Sequence, residues 1–187
     1  MPGENSALDG WRAGGNRGDV AAKRNRLEQE ILLASQVGDL ETVTALLQRG
    51  VSPSSASPQS GITALMLAVQ TSRHAVMEAL LDAGCDVEQR DHDRRTAMSH
   101  AARLGDAQAI ELLAGRGADV DALDAEGSTP LTGAAFWCRD ENVRALLRLG
   151  ADTRAVNADG ETAADIARRV GRSDLALEIE QRAITDS

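Results

Sequence analysis

The sequence predicts an all-α fold: a solenoid of stacked helix-turn-helix units joined by hairpin-like loops. Three observations carry that prediction. A threonine opens a short apolar segment at Thr63, Thr96, Thr129 and Thr162, so the motif returns every 33 residues. Twenty-one residues after each of the first three comes Gly84, Gly117 or Gly150, with Asp86, Asp119 or Asp152 two positions later. The 187-residue chain is 42% hydrophobic but only 2% aromatic, with one Phe, two Trp and no Tyr. Sandwiches and barrels lean on aromatic and β-branched residues, whereas Ala and Leu suit close helical packing. A fixed period of this length marks an array whose units bury their faces against neighbours rather than alone.

The elements follow in order. Residues 1–18 hold five glycines, little apolar material and Trp11, and are expected to form a tail without a fold of its own. An N-terminal capping unit with its loop is expected over 19–62, its first helix beginning near Asp19 or Leu27, with Arg24–Glu28 and Arg26–Glu30 as i,i+4 pairs on a solvated face. Its loop from Val51 to Gly61 carries Pro53, Pro58 and five serines, and is expected to be the loosest connection. Full units are placed at 63–95, 96–128 and 129–161, and a C-terminal cap at 162–187, its last helix running from Asp174 to about Ala183. Each opening threonine is positioned to accept a hydrogen bond from the first helical turn. Pro130 fits the first position after such a cap. Ala79-Leu80-Leu81, Leu112-Leu113 and Leu146-Leu147 are the apolar stripes of the second helices, which Gly84, Gly117 and Gly150 end.

These residues resemble the ankyrin repeat over roughly 27–184. The family pattern opens Thr-Pro-Leu-His-x-Ala, matched in part by Thr129-Pro130-Leu131-Thr132-Gly133-Ala134, and closes Gly-Ala-Asp-Val, matched in full by Gly117-Ala118-Asp119-Val120. The chain departs from the family at the histidine of the opening motif, where it has Met66, Ser99, Thr132 and Asp165. That histidine ties neighbouring repeats in the family, so weaker bonding between repeats is expected near Met66. The turn glycine kept as Gly38, Gly105 and Gly171 is Ser72 and Cys138 in the other units, which are expected to be the least regular turns. One row along the stack reads Leu33, Leu67, His100, Gly133, Ile166, and His100 beside Gly133 suggests compensating volumes, with His100 structural.

Several chemistries are excluded. A formal charge of −9 is a poor match to nucleic acid, whose phosphates require a basic surface. No apolar run approaches the ~18 residues of a transmembrane helix, and the opening Met1–Ser6 stretch has no signal-peptide hydrophobic segment. His74, His92 and His100 fall at different repeat positions, without zinc spacing. Asp91-His92-Asp93 reads as a solvated hairpin tip. Cys85 and Cys138 are expected to be free thiols, which suits a reducing, cytoplasmic compartment, or the nucleus of a eukaryote. No phosphate loop, nucleophile elbow, metal set or cofactor motif is present, so no catalytic role is expected.

The resemblance implies a partner-facing surface of hairpin fingers and first-helix palm. Carried over by register, the fingers supply Arg90, His92, Asp93 and Arg95, then Leu123 and Glu126, then Val156, Asp159 and Glu161. The palm supplies Gln70 and Thr71, then Arg103 and Leu104, then Phe136 and Trp137. Phe136 and Trp137 are two of three aromatics and adjacent, as binding hot spots require; the alternative is that a ring folds back beside Gly133. Residues 1–26 carry net +2 and the remainder −11. Face arginines come early and acids late, which would steer a partner of opposite gradient. The expected function is a non-enzymatic protein-binding adaptor or inhibitor, monomeric when free and binding neither nucleic acid nor membrane. The alternative is a permanent structural or chaperone-like subunit.

Overall fold

A computed structural model describes residues 17–185. Among them the chain forms ten helices: α1 (Arg17–Val37), α2 (Leu40–Gln48), α3 (Ala64–Gln70), α4 (His74–Asp82), α5 (Ala97–Leu104), α6 (Ala107–Gly115), α7 (Pro130–Phe136), α8 (Asp140–Arg148), α9 (Ala163–Arg169) and α10 (Ser173–Thr185). Among the described residues, pairing in the strand sense is confined to one isolated bridge, Ala56 to Thr63. The first helices α1, α3, α5, α7 and α9 pack in sequence as one row, and each lies against the second helix of its own unit. Residues 1–16 of the expected tail, Trp11 included, lie outside the described residues; Arg17 and Gly18 already belong to α1, which starts earlier than Asp19.

The periodic threonines explain the first helices. Thr63, Thr96, Thr129 and Thr162 each accept from the backbone N–H three residues on, at 3.1, 3.3, 3.2 and 3.2 Å. Each such cap stabilises by about 1 kcal/mol. Between the two helix rows Leu65, Met98, Ile110, Leu131, Leu146 and Leu175 are fully buried and form one continuous core.

The turns after α3 and α7 are as regular as their glycine counterparts. Ser72 and Cys138 take φ of 52° and 53° and stand in the left-handed region with Gly38 and Gly171. Arg73 N closes on Ala68 O at 2.8 Å and Arg139 N on Ala134 O at 2.9 Å, as Asp39 N does on Ala34 O and Arg172 N on Ala167 O. Tertiary packing imposes the turn, and the two side chains carry the strain. The irregular turn is the one after α5, where Asp106 makes no equivalent closing bond. There Asn142 of α8, fully buried, donates through Nδ2 to Ala101 O and Ala102 O, both at 2.9 Å.

Two other expectations are corrected. The Val51–Gly61 loop is tightly bonded: Ser55 is buried, Ser57 N donates to Ile62 O at 2.8 Å, and Ala64 N to Ser55 O at 2.9 Å. Bonding between repeats is also not weaker near Met66, because it runs through two loop ladders rather than through the opening motif. At the tips His92 N donates to Ser60 O, Ala125 N to Asp93 O and Ala158 N to Glu126 O, at 2.9, 2.9 and 3.1 Å. At the bases Asp86 N donates to Ser54 Oγ, Asp119 N to Glu88 Oε1 and Asp152 N to Asp121 Oδ1, at 2.9, 2.8 and 2.9 Å. Met66 itself is buried, its sulfur accepting weakly from Thr63 N at 3.5 Å.

At the ends, Arg24 pairs with Glu28 at 2.9 Å on α1. On α10 Glu178 pairs with Arg144, Glu180 pairs with Arg168, and Leu177 and Ile184 face solvent. Cys85 and Cys138 are both free thiols, and burial pushes the Cys85 thiol up to about 11.

Candidate functional site

Each finger is built on one side chain. Asp91 Oδ1 accepts from Asp93 N and Arg95 N at 3.0 and 2.8 Å. Asp124 Oδ1 accepts from Glu126 N and Ser128 N at 3.0 and 2.9 Å, and Asn157 Oδ1 from Asp159 N and Glu161 N at 3.0 and 2.9 Å. The same turn thus repeats every 33 residues. Asp91 is 8% exposed and Asp124 6%. The solvated tip expected at Asp91-His92-Asp93 is therefore correct for His92 and Asp93 and wrong for Asp91, which is a buried anchor.

What meets the anchor from the palm differs between units. Below Asp91, His100 donates or shares a proton from Nε2 to Asp91 Oδ2 at 2.9 Å, and its Nδ1 faces the Gln70 amide at 3.4 Å. The amide donates and the carboxylate accepts, so both contacts are satisfied by a neutral ring protonated at Nε2. Burial holds the His100 pKa below its ordinary value, against the opposing pull of Asp91. Below Asp124 the equivalent residue is Gly133. A Cβ there would lie 3.4 Å from Arg103 Cγ, so the neighbour in the gap is the Arg103 stem, neither His100 nor an aromatic ring.

The consequence is a cleft of about 410 Å³ floored by Pro130, Gly133 and Ile166 and roofed by Asp124 and Asn157. Phe136 and Trp137 wall it, 45% and 46% exposed, packed edge-to-face with centroids 5.4 Å apart. Arg103 lies over the Trp137 ring at 5.5 Å and Arg169 over Phe136 at 5.8 Å. Contacts of this kind contribute roughly 0.5–1 kcal/mol each at exposed sites and hold the rings outward.

Of the residues expected on the partner face, the cleft gathers Arg95, Arg103, Glu126, Phe136, Trp137 and Asp159. The others lie around it. Gln70 is engaged by His100, and Thr71 Oγ1 donates to Leu67 O at 2.9 Å. Arg90 donates to Leu123 O and Arg94 O, binding one finger to the next. His92 and Asp93 are exposed, as are Leu104, Leu123 and Val156. Glu161 is held by Arg169 through two bonds of 2.7 and 2.9 Å, which draw its carboxyl below the usual range. Arg95 reaches Asp93 at 2.6 Å and Glu126 at 3.3 Å. Much of the expected charge gradient is consequently paired within the face. Sequence reasoning missed Asp124, Asn157 and Arg169. The signal was available: the row His100, Gly133, Ile166 read against Asp91, Asp124, Asn157 shows where a palm side chain fails to meet its finger.

Residues 31–124 and, overlapping them, 84–157 match the family of ankyrin repeats (3 copies). A 66-residue stretch is 39% identical to the ankyrin repeat protein YahD of Escherichia coli (strain K12), covering 35% of this chain and 32% of that protein. A 79-residue stretch is 38% identical to inversin of Gallus gallus, covering 42% of this chain and 7% of inversin. The chain thus spans about a third of one relative and a small part of the other. No described helix is long and apolar enough to cross a membrane.

Proposed function

Since the chain belongs to the ankyrin-repeat family, a protein-interaction fold, we propose that it is a non-enzymatic adaptor or inhibitor that holds a protein partner in the cleft between fingers and palm. The observation that carries this reading is the outward Phe136–Trp137 pair. Exposed paired aromatics at the centre of a concave surface are the composition of an interface hot spot, and cation–π contacts already order them for binding. The acidic net charge favours a protein over a nucleic-acid partner. The remaining apolar residues of the face, Leu104, Leu123 and Val156, are separated by polar ones, which supports a partner that comes and goes over a permanent subunit with a larger apolar interface. Two free cysteines accord with a reducing, cytoplasmic setting.

Affinity capture from the source cells tests the reading, comparing the native chain with a Phe136→Ala, Trp137→Ala variant. A protein retained by the first and lost by the second supports it. Equal retention by both removes the cleft from the interface.

A further inference from the structure

The cleft contains a niche whose polar groups are set for one missing side chain. In the unit above it, three residues form a closed set: Asp91 on the finger, His100 on the palm helix, and Gln70 on the preceding palm helix. Moving each by one period of 33 gives Asp124, Gly133 and Arg103. The finger and the preceding palm helix keep hydrogen-bonding side chains, and the middle member is absent.

Two polar groups are left without their bond. Asp124 is 6% exposed; its Oδ1 serves the finger turn, while Oδ2 takes no hydrogen bond among the described residues. Its nearest cation is Arg95 Nε at 3.8 Å, beyond hydrogen-bond reach. That Nε is itself buried and unpartnered. Asp124 lines the cleft, so its Oδ2 is open to accept a hydrogen bond from a ligand seated there.

We propose that this niche takes the neutral imidazole of a partner's histidine, which donates to Asp124 Oδ2 as His100 does to Asp91, and accepts from Arg103 as His100 accepts from Gln70. This rests on the cleft being a partner-binding face and names the side chain it selects. The chemistry favours a neutral ring. The niche presents one acceptor, Asp124, and one donor, Arg103: a donor-only lysine or arginine would face Arg103 and an acceptor-only carboxylate would face Asp124, whereas a neutral ring brings one donor and one acceptor. Phe136 and Trp137 supply apolar walls against which a flat ring packs.

The test uses two isomers of equal size on the full chain, with Trp11→Phe so that Trp137 is the sole indole. 4-Methylimidazole carries the ring N–H and 1-methylimidazole does not. At about pH 9 both are neutral. Trp137 emission and the Gly133 amide resonance report binding. The expected result is saturable binding of 4-methylimidazole, at least tenfold tighter than that of 1-methylimidazole. Asp124→Asn should abolish the preference while keeping the fold, because Asn157 supports the same turn in the next finger. Gly133→His should fill the niche and block both rings. Binding of neither isomer, equal binding of both, or a Gly133→His chain that still binds would overturn the proposal. Because the probes need no partner, such a failure alongside intact capture through Phe136 and Trp137 would leave the interaction face standing.

Discussion

Gly133 stands one period beyond His100 at the same place on the palm, and the stem of Arg103 comes within 3.4 Å of where its Cβ would be. That separation is ordinary van der Waals contact for a methyl group, and the backbone there is helical. Gly133→Ala should therefore gain helix propensity, up to about 1 kcal/mol, visible as a raised urea midpoint with unchanged slope. A loss of stability would mean that the Arg103 stem cannot yield.

Ser72 and Cys138 hold left-handed backbone at φ of 52° and 53° where the other units have glycine. A side chain in that region costs roughly 1–2 kcal/mol, offset in part by the greater freedom of glycine in the unfolded chain. Ser72→Gly and Cys138→Gly should each stabilise by about 1 kcal/mol in denaturant unfolding, and additively, since they lie two repeats apart. Destabilisation by either would show that its side chain contributes more than the turn costs.

The repeat was legible because its landmarks act locally. A threonine cap, Pro130 at the first helical position and the glycine at each second-helix end work through the nearest few residues. The caps were found at 63, 96, 129 and 162, and left-handed φ at Gly84, Gly117 and Gly150. Long-range relations were not legible. That Asp91 is buried beneath its own tip depends on the finger turn closing over it, and that Ser72 turns like a glycine depends on how α3 and α4 pack. The cleft was half visible: Phe136 and Trp137 were placed, but Asp124 was hidden among acids that looked solvated.

Burial keeps His100 neutral in the fold, with its pKa below the ordinary value. The unfolded ring takes a proton near pH 6.5, so below that pH the unfolded state binds more protons. Stability from this site is therefore full above about pH 6.5 and falls with acidity until the folded ring also titrates. The His100 ring resonances should show a midpoint below that of a free histidine, and His100→Gln should flatten the slope of stability against pH across this window. A midpoint at or above 6.5 would mean that Asp91 outweighs burial.

Asn142 closes the end of α5 in place of a backbone bond. Asn142→Leu keeps the volume and removes both donations, leaving the Ala101 and Ala102 carbonyls buried without that partner. The expected cost is about 1–3 kcal/mol in urea unfolding. A neutral outcome would show that Asp106 N can restore the closure its counterparts make.

The most direct test is the equilibrium affinity of the captured partner, measured by calorimetry for the native chain, for Phe136→Ala with Trp137→Ala, and for Leu177→Ala on the exposed face of α10. The account predicts that the double substitution weakens binding by about 2 kcal/mol or more, with a melting temperature little changed because both rings are half exposed. Leu177→Ala should bind as the native chain does. Unchanged affinity in the double variant, or a loss as large with Leu177→Ala, would contradict the claim that the partner seats on the Phe136–Trp137 wall.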